Sequence, residues 1–185
     1  FSPAHGGPII SPSQDIVLGI YYLTVDHDTK QKRVPACTHR NEVFLAYASG
    51  KLRVHDKVTL KLSEGTIVAR APGKWEPLSR VDTTVGRVLF NDILPHGMPF
   101  YNYELDKKSI QALISDCHRL LGRDATLKLL DDLKDLGFKA STRAGLSFAK
   151  DDIRVPPSKQ LILNETQKEI DKVEREFSDL EEIWK

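Results

Sequence analysis

A handful of side chains in this sequence have the chemistry to meet a polar or phosphorylated ligand. Gln14 follows Ser13 in Pro12-Ser13-Gln14-Asp15. Its amide both donates and accepts hydrogen bonds, so it could contact a ribose or a base; it could equally be an ordinary first-turn helix residue. Arg143 stands between Thr142 and Ala144-Gly145. Its planar cation suits phosphate or carboxylate, and Gly145 allows a turn or a close backbone approach. The alternative is an ion pair with Asp151 or Asp152. Arg87, directly after Gly86, could draw an anion electrostatically or brace the nearby Asp92. The adjacent Asp151 and Asp152 invite a metal reading. Neighbouring carboxylates point apart on a regular element, however, and no third ligand is near, so a loop or ion-pair role fits them better.

These groups need elements to hold them. Ser13 is expected to cap a helix that begins near Asp15, turns Ile16, Val17, Ile20 and Leu23 inward, and ends near Thr24. The stretch from Asp26 to Pro35 is polar and reads as a loop. Thr38 is expected to cap a second helix through Val43, Phe44 and Tyr47, stopped at Gly50. Val58, Leu60 and Leu62 then alternate with Lys57, Thr59 and Lys61, a strand period. Ser63-Glu64-Gly65 is turn chemistry, with Thr66-Ile67-Val68 as the return strand and Ala71-Pro72-Gly73 as its end. Thr83 to Phe90 reads as a third strand or as a strand leading into a short helix. Pro95 and Pro99 bracket a loop.

The second half is more regular. Ile110, Leu113, Ile114, Cys117, Leu120 and Leu121 have the 3, 4 spacing of a buried helix face, with Asp106 as cap and Gly122 as stop. Leu127, Leu130 and Leu133 repeat the pattern, with Asp124 as cap and Gly137 as stop. The short connection predicts that these two helices pack as neighbours. Pro156-Pro157-Ser158 opens a last amphipathic helix with Leu163, Ile170, Val173, Phe177, Leu180 and Trp184 along one stripe, a coiled-coil spacing that calls for a partner. Lys172 with Glu176, and Asp171 with Arg175, are spaced as i, i+4 pairs. The expected fold class is α+β and predominantly helical, with a small antiparallel strand element in the middle and a long C-terminal amphipathic helix.

Composition narrows the function classes. The net charge of +1 supplies no general field for polyanions, so any nucleic-acid contact must come from local basic groups. No run of about 18 apolar residues calls for a membrane span. The two cysteines, Cys37 and Cys117, make no disulfide framework, and a reducing, cytoplasmic setting follows most simply. The six histidines lack zinc spacing. The opening residues read as mid-chain loop, and the last helix is still running at Trp184-Lys185, so a longer parent protein is expected.

Three ordered segments carry a resemblance. They are Ser2-Pro3-Ala4-His5-Gly6 with Pro8 through Tyr22; Thr83-Thr84-Val85-Gly86-Arg87 with Phe90-Asn91-Asp92-Ile93-Leu94-Pro95; and Leu136-Gly137-Phe138 with Thr142 through Ser147, Asp151-Asp152-Ile153 and Val155-Pro156. In order and spacing they resemble the largest catalytic subunit, beta-prime, of bacterial multisubunit RNA polymerases. The metal-binding loop of that family, Asn-Ala-Asp-Phe-Asp-Gly-Asp, is absent. The resemblance therefore implies a part of a DNA-directed RNA polymerase that lacks the aspartates for catalytic magnesium and binds no metal itself.

The resemblance also implies a domain plan and a set of neighbours. Residues 1–155 would be the pore and secondary-channel domain, with the loop 140–156 as the F-loop that supports the bridge helix and trigger loop. Residues 156–185 would begin the funnel's helical hairpin. Gln14, Arg143 and Arg87 would lie near nucleotide or the RNA end, while Thr142, Gly145, Asp151 and Asp152 would support the F-loop. The implied partners are the beta, alpha, omega and sigma subunits, template DNA, nascent RNA, nucleoside triphosphates and secondary-channel transcription factors, with no membrane; the implied location is the cytoplasm, at the nucleoid. A reading from another class is a non-enzymatic helical module that binds a partner through its last helix.

Overall fold

Pro12-Ser13-Gln14-Asp15 does open a helix. The computed structural model describes residues 2, 8–27, 33–147 and 149–183, with side chains as far as residue 177, and in it α1 runs Asp15–Thr24. Residues 3–7 of the first motif, 28–32 of the polar stretch, Trp184 and the side chain of Leu180 lie outside the described residues. Ile20 and Leu23 are buried, and Ile16 and Val17 pack part-buried on the same core. The cap differs from expectation. Gln14, not Ser13, takes the cap position, with φ 49° and ψ −124° and no side-chain cap bond. Ser13 contributes only its carbonyl, which accepts from Ile16 N–H at 3.3 Å. The helix starts one residue too late for the Ser13 hydroxyl to reach first-turn N–H groups.

The second helix, α2 (Arg40–Ala48), follows a two-residue strand β1 (Ala36–Cys37). His39 caps it, accepting from Asn41 N–H at 3.2 Å. Thr38, the expected cap, instead donates its backbone N–H and its hydroxyl to the Glu42 carboxylate. The strand β2 (Lys57–Lys61) alternates as its sequence requires, with Val58 and Leu60 buried. The turn at residues 63–66 forms, but the strand after it does not return along β2. Strand β3 (Ile67–Ala71) pairs antiparallel with β4 (Lys74–Pro77), and β2 pairs antiparallel with β5 (Arg80–Thr84). Each pair gains a short parallel edge: β1 beside β2, and β6 (Phe100–Tyr101) beside β3. The antiparallel element of the middle is thus two three-stranded mixed sheets. The segment 83–90 resolves as a strand leading into a helix, α3 (Val85–Asp92), capped by Thr84. Val85 and Val88 of α3 join Val58, Leu60, Val68 and Val81 in one core, while its Phe90 enters the other with Ile20, Tyr101 and Leu105.

Helix α4 (Lys107–Ala144) carries the second core across an interruption at Gly122. Asp106 caps it as expected, accepting from Ser109 N–H at 2.8 Å. Gly122 sits at φ 80° and ψ −168°, a conformation open in practice only to glycine. Cys117 lies near enough to Thr126 to feel its hydroxyl, and it shares one core with Leu129 and Leu133 of the second run. Nine residues of straight helix would separate them by about 13.5 Å, so the chain folds back at Gly122 and the two runs pack as neighbours. Asp124 is not a cap; it lies exposed in the first turn of the second run, while Thr126 Oγ1 donates to the Gly122 carbonyl at 2.7 Å. The buried line of that run is Thr126, Leu129, Leu133, Gly137 and Ala140. Leu127, expected inside, is 43% exposed, and so is Leu120 at 44%, next to the break. Gly137 does not stop the helix either. α4 continues to Ala144 and ends at Gly145, which is left-handed at φ 58° with its N–H on the Ser141 carbonyl.

Three glycines explain how α1 is seated. A Cβ on Gly19 would stand 2.0 Å from the Gly137 carbonyl oxygen, and one on Gly137 would stand 2.8 Å from the Cα of Ile16. At the other end, a Cβ on Gly86 of α3 would stand 1.9 Å from the Leu23 carbonyl oxygen. These are backbone-to-backbone contacts, which no rotamer change can relieve.

The chain divides into two compact units, Phe1–Leu146 and Ser147–Lys185. The described residues of the second form a 3₁₀ turn, Lys150–Asp152, and the helix α5 (Lys159–Ile183). Leu163, Ile170, Val173 and Phe177 of the expected stripe are all exposed. Lys172 pairs with Glu176 at 3.8 Å, whereas Asp171 accepts from Gln167 at 2.8 Å. Among the described residues no helix is long and apolar enough to cross a membrane.

Two measurements check this packing. Gly86→Ala is expected to destabilise the chain by about 1–3 kcal/mol in urea unfolding, because the new methyl must push backbones apart; an unchanged midpoint would mean the contact is not tight. The second concerns His55, whose ring meets Tyr22 edge-on at 4.7 Å and lies 5.9 Å from His27. Burial, and then the neighbouring His27, push its pKa below the usual imidazole value, against the pull of the Val25 carbonyl and Asp56. The fold therefore favours neutral His55. As pH falls through the usual value of 6.5, the unfolded chain takes up the proton first. Stability from this group is present above that pH, declines below it, and levels off under the folded pKa. Between about pH 7.5 and about pH 5.5 the urea midpoint should fall further for the native chain than for His55→Gln.

Candidate functional site

The first unit contains every candidate residue except Asp151 and Asp152. Gln14 heads α1 and is exposed, and it is the one non-glycine residue with a positive φ among those described. Strain of this kind costs on the order of 1–3 kcal/mol and persists where the surroundings impose it. Here α1 is clamped by Gly19, Gly137 and Gly86 just downstream. The amide is thus presented on a short, immobilised lead.

Thr142 and Arg143 lie on the last turn of α4 and are exposed, as is Gly145 behind them. A cation there opposes the partial negative charge of the helix C-terminus. Residues 140–144, read from the sequence as part of a loop, are helical; the loop begins at Gly145. The reason is that Ala140 is buried on the line that packs inward, so the helix extends until the left-handed glycine. Gln14 and Arg143 do not touch: no hydrogen bond or ion pair joins them among the described residues. They are linked through the α1–α4 crossing, where Ile16 meets Gly137 and Gly19 meets Gly137 and Ser141.

Arg87 is placed differently. It is 8% exposed. Its Nε–H donates to the Thr24 carbonyl at 2.8 Å, and one terminal nitrogen reaches both oxygens of Asn102 at 3.4 Å. Burial pushes its pKa down, and the carboxylates of Asp26 and Glu104 pull it back up. It does not brace Asp92, which pairs with Arg40 at 3.3 Å. One edge of Arg87 lines an open cleft of about 680 Å³ with Tyr21, Asp26, Asn102, Tyr103 and Glu104.

Two polar residues in this network escaped the sequence reading. Thr24 donates its hydroxyl to the Ile20 carbonyl, accepts from Leu105 N–H at 3.0 Å, and offers its own carbonyl to Arg87. Asn91 donates to the carbonyls of Arg87 and Tyr101 and accepts from Tyr101 N–H at 2.7 Å. A signal for Asn91 was available, since it lies one turn after Arg87 on the same helix. None existed for Thr24, whose partners are 63 and 81 residues away.

Asp151 and Asp152 occupy the 3₁₀ turn of the second unit and are exposed. Asp152 accepts from Ala149 N–H at 2.8 Å, a contact local to the turn. Among the described residues no three His, Cys, Asp or Glu side chains converge as a metal site. Among the described residues the donor set does not fit magnesium.

Comparison with known proteins decides the family. The model of RNA polymerase Rpb1, domain 3, matches residues 1–153. The chain belongs to this family. Among its relatives are the DNA-directed RNA polymerase subunit beta' of Rhodopirellula baltica, 40% identical over 96% of this chain, that of Opitutus terrae, 42% identical over 96%, and that of Aquifex pyrophilus, 40% identical over 95%. The chain spans 12%, 13% and 10% of the lengths of these relatives. The Rpb1 domain 3 assignment covers α1 through α4 and the 3₁₀ turn, and so includes Gln14, Arg87 and Arg143.

Within this domain Arg87 ties α1, α3 and the segment before α4 together. Arg87→Met is expected to cost about 1–3 kcal/mol in urea unfolding, from a buried Thr24 carbonyl left without its donor. A variant as stable as the native chain would mean the guanidinium is free for other work.

Proposed function

We propose that this chain is a structural part of a DNA-directed RNA polymerase, lining the secondary channel beside the active centre. The observation that carries the reading is the match to RNA polymerase Rpb1, domain 3, over residues 1–153, together with relatives named as beta' subunits. In the intact enzyme, nucleotides would be joined by metal-assisted phosphoryl transfer, with magnesium held by aspartates outside this chain. Residues 1–155 would form the pore domain, and residues 156–185 would begin the funnel hairpin.

Four roles follow for the chain's own residues. Gln14 would present its amide to incoming nucleotide or to the RNA end, from a helix clamped in place. Arg143, free in solvent, would offer a cation toward phosphate. Arg87 would act mainly as a brace, with one edge on a cleft open to solvent. Thr142, Gly145, Asp151 and Asp152 would shape the F-loop beneath the bridge helix and trigger loop. The beta, alpha, omega and sigma subunits, template DNA, nascent RNA and channel-binding factors would be its neighbours in the cytoplasm, at the nucleoid.

A second reading is a helical module that binds a partner without enzymatic work. It is favoured by the exposed Leu163, Ile170, Val173 and Phe177 of α5. The two readings differ on whether residues 142–145 matter to polymerisation. In an assembled polymerase, Gly145→Ala puts a Cβ on a left-handed residue, straining the backbone by roughly 1–2 kcal/mol while touching nothing within 4 Å. A severalfold change in elongation or pausing rate is expected, and a comparable one for Arg143→Ala. Unchanged rates in both variants would remove the proposed loop role.

A further inference from the structure

We propose that Gly137 is a positioning residue for Gln14, acting through the crossing of α1 and α4. This rests on the reading of Gln14 given above. Three observations support it. Gly137 has no side chain because the backbone of α1 occupies the space: a Cβ there would stand 2.8 Å from Ile16 Cα, Ile16 Cγ2 and Ile16 O alike. Ile16 is two residues from Gln14, on the same helix. The other end of α1 is fixed, because the Leu23 carbonyl sits where a Cβ on Gly86 would stand, and the next residue, Thr24, is bonded to Arg87 and Leu105.

A helix fixed at one end and pushed near the other tilts. Leu23 is the pivot. Ile16 lies about 10.5 Å from it along the axis and Gln14 about 13.5 Å, at 1.5 Å per residue. An ordinary Cβ contact needs about 3.4 Å or more, so a methyl at position 137 displaces Ile16 by roughly 0.6 Å and Gln14 by roughly 0.8 Å. Gln14 cannot easily compensate by backbone rotation, since it already holds φ 49° and ψ −124°. A reacting geometry misplaced by about 1 Å can lose on the order of a hundredfold in rate. The same glycine that lets α4 pass close to α1 therefore also sets where the amide stands.

The test uses an assembled polymerase and single-nucleotide addition, with kcat and KM measured for Gln14→Ala, Gly137→Ala, the double variant, and Leu133→Ala as a control on the same run of α4. Gly137→Ala is expected to lower kcat/KM roughly tenfold. It should divide the loss between kcat and KM as Gln14→Ala does, and cost less than about twofold once Gln14 is gone. Leu133→Ala should lower the thermal midpoint without reproducing that division. Should Gly137→Ala fail to assemble, Ile16→Leu takes its place: it keeps the volume but removes the Cγ2 methyl facing Gly137, and it should show the same non-additivity at smaller size. A full loss from the crossing variant with or without Gln14 overturns the inference and leaves the reading of Gln14 standing. If Gln14→Ala alone leaves nucleotide addition unchanged, the reading of Gln14 falls and the inference with it.

Discussion

Helix α1 is held by backbone pressed against backbone, and most of the first unit is arranged around that fact. A Cβ at Gly19, Gly86 or Gly137 would stand 2.0, 1.9 or 2.8 Å from a main-chain atom of a neighbouring element. Such contacts differ from ordinary core packing. A leucine in a core can change rotamer, whereas a carbonyl oxygen against a glycine Cα has no alternative place. The result is a ten-residue helix, too short to be stable alone, that is nonetheless fixed in rotation and depth. Its N-terminal residue can then be kept in a strained conformation, because release would require moving the whole helix.

Polar chemistry completes what the glycines begin. The last residue of α1, Thr24, is joined through its hydroxyl to Leu105 N–H and through its carbonyl to Arg87. Arg87 is charged, nearly buried and within the influence of Asp26 and Glu104. Burying a cation is costly unless acceptors and counter-charges surround it, and here they come from two separate parts of the chain, Thr24 with Asp26 and Asn102 with Glu104. That arrangement draws Arg87 inward and leaves Arg143, exposed at the end of α4, as the more accessible cation of the two. The sequence offered no way to rank them, because each is an arginine next to a small residue and the difference lies in long-range partners.

Local signals were legible and long-range ones were not. The α1 span, the alternation in β2, the Asp106 cap and the break at Gly122 all follow from residues within a turn or two. The glycines show the limit. Gly122 and Gly137 looked alike in sequence, both as helix stops. Gly122 breaks the helix because its φ and ψ are open only to glycine, while Gly137 remains helical and spends its missing side chain on close approach to Ile16. Only the partner, more than a hundred residues earlier, distinguishes them. The pairing of β3 fails for the same reason. A turn at residues 63–66 fixes a change of direction but not the strand that will be met, and β3 finds β4 and β6 instead of β2.

The candidate site divides along the same line. Gln14 reads in the sequence as an amide near a cap, and nothing in its neighbours signals its positive φ. Strain at an exposed residue has a cost that packing elsewhere must offset, and the close contacts at Gly19, Gly86 and Gly137 provide a rigid frame able to do so. A net charge of +1 gives no broad attraction for a polyanion. Whatever contact this domain makes with nucleotide or nucleic acid must therefore depend on where a few groups are held. For a chain that spans 10–13% of its relatives' lengths, the role proposed above would be the accurate placement of an amide and a cation by uncharged backbone contacts.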